Sequence, residues 1–232
     1  MADFFVQSFR MAMALIFARD KEVLSAVAIS LNVAMWSVAL GSVLGVPIGM
    51  LVALGNFPGK GAVRLVLNSL MAMPTVVIGL LVYAFISRQG PLGSLGLLFT
   101  PVAIIIGQSI LATPVIGNYV LSTIQGVDEL ILPTAHTLGA SNLRSVWQLA
   151  REVRFGLVAA IVAGFGRVIS EVGVAMMVGG NIRMYTRTMT TAIALETSKG
   201  EFAFGLALGL ILICVSLAVN LFLTVAQESR RV

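Results

Sequence analysis

Charge is what this chain has least of. Only 11% of its 232 residues are Asp, Glu, Lys or Arg, while 58% are hydrophobic. A soluble domain carries charge on roughly a quarter of its residues. Mean hydropathy is +1.01. One globule cannot hide so much apolar surface, which excludes an ordinary soluble domain and makes lipid the expected solvent. There is one cysteine, Cys214, so no internal disulfide can form. The one histidine, His136, rules out H-E-x-x-H and gives no metal cluster. G-x-S-x-G is also missing. Nothing resembles a hydrolytic site, so neither catalysis nor a resident metal or cofactor is expected. No basic run with interleaved aromatics occurs, and nucleic acid is not expected as a partner. The net charge of +5 suits cytoplasmic loops and lipid headgroups instead. A cleavable leader is not expected either: Asp3 comes early, Arg10 interrupts the first apolar run, and no A-x-A-like site follows.

What the chain does have is long charge-free stretches. They run from Glu22 to Lys60, Arg64 to Arg88, Arg88 to Asp128 and Glu201 to Glu228. Each holds a helix of about 20 residues, enough to cross the hydrocarbon. Helices also satisfy their own backbone bonds, as lipid cannot. The pattern predicts an all-α membrane protein, one transmembrane domain over residues 1–232, with five spans near 28–54, 62–87, 100–124, 155–179 and 203–226. Residues 1–20 differ. Asp3–Ala18 is short and broken by Gln7 and Arg10. It predicts an amphipathic helix lying in the interface, with a sixth, short span as the alternative.

Pro47, Pro74, Pro101 and Pro114 fall inside these spans and suggest bends. Ser37, Gly41, Gly45, Gly49 and Ala53 put a small residue at every fourth position of the first span. Such a stripe lets helix backbones approach, either within the chain, the favoured reading, or against a second copy. The loop "GNFPGKGA", Gly55–Ala62, looks superficially like a phosphate loop. Its glycine spacing is one residue short, and Gly61 stands where Ser or Thr should hold magnesium.

Residues 128–154 break the apolar monotony with Arg144, Arg151, Arg154 and Glu152. Gly139 divides the segment. Ser141 can cap a following helix, on which Leu143, Val146, Trp147 and Ala150 recur at helical spacing. Pro133 can open a helical turn before the glycine. This predicts two short helices outside the bilayer, whose apolar face either docks on the chain itself or receives a partner.

The stretch Pro133–Ser141 resembles the E-A-A-x-x-x-G loop of ABC importer permeases through Ala135, Gly139 and its T-L-G-A-S core. Pro133 replaces the motif's glutamate, Thr134 its first alanine, and Ala150, Arg151 and Glu152 stand in place of a downstream Leu-Pro pair. "FGRVISEVGVAMMVGGNI", Phe165–Ile182, resembles the G-E-F-G-A segment of molybdate and sulfate importer permeases at Glu171 and Gly173. "MPTVVIGLLVYAFISRQGPLG", Met73–Gly93, is similar to the tungstate branch. The likeness runs from about Asp20 to the end of the chain. It implies the ABC importer permease fold and a membrane subunit for oxyanion import, with tungstate first and molybdate or sulfate as alternatives. An ATP-independent channel or secondary transporter is more remote. It implies that Thr134, Ala135, His136, Thr137, Leu138, Gly139, Ala140 and Ser141 form a coupling helix seated in a cytoplasmic ATPase. The implied partners are a second copy of the chain, two ATPase subunits that hold ATP and Mg, an extracytoplasmic oxyanion-binding protein and membrane lipid. The implied place is the bacterial or archaeal inner membrane, with the N-terminus outside and the C-terminus cytoplasmic. Lys60, Arg64, Arg144, Arg151, Arg154, Arg230 and Arg231 then face the cytoplasm, while Arg183, Arg187 and Lys199 face outward.

Within the fourth span Arg167 and Glu171 would each cost about 2.5–3.5 kcal/mol at a helix centre. Four residues apart, they can pair on one face. The pair is either a structural salt bridge or part of a polar path for a dianion. Neutral donors suit such a path because they do not trap the anion. Thr75, Gln108, Ser109, Thr113, Asn118 and Ser170 are the candidates. Arg183 and Arg187 are expected near the outer gate, against the binding protein, or on a plain solvated connection.

Overall fold

A computed structural model describes residues 2–128 and 130–228, and among them the long elements are all helices. The first helix, α1 (Ala2–Phe17), lies along the last. Helix α2 (Lys21–Leu54) starts where the Asp20 carboxylate accepts the Glu22 and Val23 amides at 2.9 and 3.1 Å. It ends at Gly55, and the Lys60 ammonium donates to the Ala53 and Gly55 carbonyls at 3.1 and 2.9 Å. The lysine of "GNFPGKGA" therefore caps a helix C-terminus, where a cation is favoured.

Helices α3 (Lys60–Ala72) and α4 (Thr75–Ile86) meet at a 99° bend. Pro74 explains it: the ring drives Met73 into the extended region, at φ −67° and ψ 134°, and removes an amide from the ladder. Helix α5 (Pro101–Gln125) opens with Thr100 accepting the Ala103 amide and with Pro101 in the first turn. Then come α6 (Ile131–Thr137), α7 (Asn142–Glu152) and the pair α8 (Arg154–Ile169) and α9 (Gly173–Gly179), bent by 59°. Helices α10 (Met189–Ser198) and α11 (Phe202–Glu228) complete the order.

Helices α2, α5 and α11 are long and apolar enough to cross a membrane, and counting each bent pair as one span gives five. This matches the five expected spans, with two departures. The spans expected at 62–87 and 155–179 are broken. Of the four prolines, only Pro74 sits at a break: α2 and α5 continue through Pro47 and Pro114, and Pro101 opens α5.

Helix α5 is the centre of the body, with α2 on one side and α8 on the other. The small-residue stripe lies on this inner seam. A Cβ on Gly41 would sit 2.7 Å from Ala112 Cβ, and one on Gly45 2.7 Å from the Thr113 carbonyl oxygen. Gly164 on α8 approaches Ile116 equally closely. The stripe thus serves packing within the chain. Around it Ile116, Val120, Val168, Met189 and Leu208 are buried.

Helix α10 is an element the sequence pattern did not announce. Thr188 caps it, accepting the Thr191 amide, while Thr191 Oγ1 accepts the Thr188 amide. The Met189 amide donates to Ser30 Oγ at 2.7 Å. Ser30 lies two and a half turns into α2, about 13 Å from its start at 1.5 Å per residue. At the other end of α10, Glu196 pairs with Arg187, which reaches Glu22 in the first turn of α2. The chain between α9 and α11 thus dips back among the spans and returns.

Candidate functional site

Two regions concentrate the polar chemistry. The first is the segment from α6 to α7. The Ala140 amide donates to the Ala135 carbonyl at 3.0 Å, the six-to-one bond of a Schellman ending. Gly139 makes this possible at φ +82°, a value side chains tolerate poorly. Two expectations need correction here. Ser141 occupies the cap position of α7 but makes no capping side-chain bond; Ser145 instead donates to its carbonyl at 3.1 Å. Pro133 falls inside the first turn of α6, which begins at Ile131.

The apolar stripe of α7 does not dock as a unit. Leu149 is buried, beside Val153, against the ends of α2 and α5. Leu143 and Trp147, at 81% and 68% exposure, point away from the chain, as does Leu138 at 83%. Thr134, Thr137, Gly139 and Ser141 are exposed too, and Ala135 and Ala140 are half-buried. The side chain of His136, like Arg230 and Arg231, lies outside the described residues. Behind the segment is a cavity of about 500 Å³ lined by Leu54, Ile124, Asp128, Ile131 and Leu149. The result is an anchored double helix that presents large apolar side chains outward.

The second region is the pair of helix breaks. Helix α8 stops at Ile169, so Arg167 and Glu171 do not share one continuous helix as expected: Glu171 stands in the break. They still pair, with Arg167 Nη1 donating to Glu171 Oε2 at 2.7 Å. The other oxygen, Oε1, accepts the Val174 amide at 3.3 Å. The Glu171 carbonyl accepts Thr190 Oγ1 at 2.7 Å, from α10. From the other break, Thr75 Oγ1 lies 2.7 Å and Glu171 Oε1 3.2 Å from where a Cβ on Gly173 would stand. Thr75, Arg167 and Glu171 therefore converge around Gly173, with Ser170 beside them. Ser170 is exposed and its hydroxyl donates back to the Gly166 carbonyl at 2.9 Å.

The other path candidates sit elsewhere. Gln108 and Ser109 are buried on α5; Gln108 accepts from Ser37 Oγ at 3.4 Å, and Ser109 donates to the Ile105 carbonyl at 2.6 Å. Thr113 donates to the Ser109 carbonyl at 2.8 Å, and Asn118 to the Pro114 carbonyl at 3.1 Å. These groups are engaged inside the bundle. Arg187 is also not at a surface. It is 6% exposed and paired with Glu196 at 3.2 Å, while Arg183 reaches Glu22 at 3.2 Å. Thr190 was missed because α10 was read as connection. Its signal is the threonine run at 186, 188, 190 and 191, too polar to be idle between apolar stretches.

The model of a family described as binding-protein-dependent transport system inner membrane component matches residues 45–232. A probable anion ABC transporter permease protein of Haloferax volcanii is 44% identical over 84% of this chain and 87% of its own length. A tungstate uptake system permease protein of Campylobacter jejuni is 40% identical over 94% of this chain and 91% of its own. Among solved structures, a methionine ABC transporter in inward-facing conformations superposes with a TM-score of 0.71, at 15% identity, over 90% of this chain and 95% of that one.

Proposed function

The chain belongs to the family of binding-protein-dependent transport system inner membrane components, and from that premise we propose that it is the membrane subunit of an ATP-driven importer whose cargo is tungstate. The observation that carries this reading is a likeness to a tungstate uptake permease that runs over 94% of the chain, through both the protruding α6–α7 segment and the two bent spans.

In this reading two copies enclose the path, since five spans of one chain are too few to surround a solute. Residues Thr134–Ser141, Leu138 among them, with Leu143 and Trp147 beside them, seat against a cytoplasmic ATPase. The ATPase pair holds ATP and Mg and does the bond chemistry; this chain does none. The C-terminus lies on that same cytoplasmic side and the N-terminus outside, where an oxyanion-binding protein delivers cargo. Closure of the ATPase pair pushes on α6 and α7. Their buried anchors, Leu149 and Val153, pass the displacement to the ends of α2 and α5. Thr75, Arg167, Ser170 and Glu171 lie along the path. Behind it Gln108 meets Ser37 of α2, while Ser109 and Thr113 bond carbonyls of their own helix.

The test is uptake by the chain reconstituted in liposomes with its cognate ATPase and binding protein. ATP-dependent tungstate uptake, with molybdate and sulfate competing poorly, is the expected result. Transport by the chain alone, without ATP, would replace this reading with a channel or secondary transporter. Preference for molybdate or sulfate would change the cargo and leave the machine intact.

A further inference from the structure

The Arg167–Glu171 pair is more than a tie between a helix and its broken continuation. Glu171 is 3% exposed, and both of its carboxylate oxygens are engaged, one by Arg167 and one by the Val174 amide. Arg167 is held on one side only. Its side chain keeps 32% of its surface open. Beside it Gly166 is exposed, with nothing within 4 Å of where its Cβ would be. A guanidinium has five N–H donors, and one nitrogen here serves Glu171. Arg167 is thirteen residues beyond Arg154, about 20 Å along α8 and beyond headgroup reach from that end. An open guanidinium so deep is not sustained by hydrocarbon and marks a water-filled path.

Resting on the importer reading, we infer that Arg167 and Thr75 form a transit site for a tetrahedral dianion, with Glu171 as the built-in counter-charge that sets its strength. The free edge of the guanidinium offers the paired donors that suit oxyanion oxygens. Thr75 Oγ1, which like Glu171 Oε1 borders the space over Gly173, adds a neutral donor. A bare arginine in a dry path would hold a dianion and slow its exit. With its charge balanced by Glu171, the site holds the anion only through the remaining N–H donors and still releases it, as conduction requires. Ser170 is not a contact here, because its hydroxyl is already turned to its own helix.

The test separates an anion contact from a structural bridge. The complete complex is reconstituted with the double variant R167Q/E171Q, which keeps a neutral hydrogen-bonding pair, and with T75V and E171Q separately. Cargo transported per ATP hydrolysed is the readout. A purely structural bridge survives replacement by a neutral pair. The expected result for the double variant is tungstate moved per ATP hydrolysed down about tenfold, the scale of one lost charge-assisted bond. T75V is expected to lower the same ratio about threefold, the scale of a neutral hydrogen bond. E171Q is expected to slow turnover while the complex retains more tungstate. A double variant with wild-type cargo per ATP overturns the inference. Should that variant fail to assemble, T75V decides, and an unchanged ratio overturns it equally. Absence of ATP-dependent uptake by the wild-type complex would instead overturn the importer reading and this inference with it.

Discussion

Gly49 of α2 and Gly117 of α5 pass so closely that a Cβ on Gly49 would stand 2.5 Å from the Gly117 carbonyl oxygen. Val120 closes the same space from the next turn, with its Cβ 2.8 Å away. Backbone cannot retreat as a flexible side chain can. Gly49→Ala is therefore expected to cost about 1–3 kcal/mol through overpacking. Gly61→Ala on α3, where nothing lies within 4 Å, is expected to be neutral or slightly stabilising. Thermal unfolding of both variants in detergent checks the contrast; equal stability would show that the α2–α5 seam is not tight.

A second asymmetry lies where α10 meets the start of α2. Glu196 holds both Arg187, at 3.2 Å, and Lys199, at 3.1 Å, whereas Arg187 has beyond Glu196 only Glu22, at 4.0 Å. Arg187 Nε is buried with no partner. Removing the acid strands a buried cation; removing the cation leaves the acid with Lys199. Glu196→Leu is expected to destabilise by about 3–5 kcal/mol, clearly more than Arg187→Met, and the double variant to regain most of the loss. Unfolding midpoints of the three variants measure it. The reverse order would show that Arg187 is not committed to Glu196.

On the α6–α7 segment, folding and partner binding should separate. Leu138 and Trp147 are mostly exposed, so Leu138→Glu and Trp147→Glu are expected to leave the unfolding midpoint within about 0.5 kcal/mol of the original, as surface changes do. They are expected to abolish recovery of the ATPase with the tagged chain. Gly139→Val places a β-branched side chain at φ +82° and should disturb the turn itself, whereas Gly139→Asn should keep ATPase recovery. Full recovery with Trp147→Glu would remove this face from the interface.

The parts of the fold legible in the sequence were those written in charge and small residues. Gaps between charges marked four of the five spans because lipid penalises unpaired charge; the fourth span carries the Arg167–Glu171 pair. The glycine spacing from Gly41 to Gly49 marked a close helix contact because only backbone approach needs it. Gly139 marked the turn between α6 and α7 for a similar local reason. The breaks were less legible. Pro74, Pro47 and Pro114 look alike in sequence, yet only the first interrupts its helix, and α2 and α5 continue through theirs. Spacing alone placed Arg167 and Glu171 on one face, but the helix ends between them and their pairing survives through the bend. Helix α10 escapes the pattern because its buried threonines look like loop polarity; their hydroxyls bond to each other, to Asn181 and, across the break between α8 and α9, to the Glu171 carbonyl. Arg183 and Arg187 looked alike as outward cations, and burial of one of them is a tertiary fact.

The sidedness of the α6–α7 turn bears most directly on the mechanism. Cys214, in the middle of α11, is the one native cysteine, so the measurement begins from Cys214→Ala and leaves a single introduced thiol. With Ser141→Cys added, cells are treated with a membrane-impermeant maleimide before and after their membrane is opened. If the turn meets an ATPase in the cytoplasm, labelling appears only after opening. Labelling of intact cells would put the turn outside, beyond reach of any cytoplasmic motor, and would contradict the account at its root.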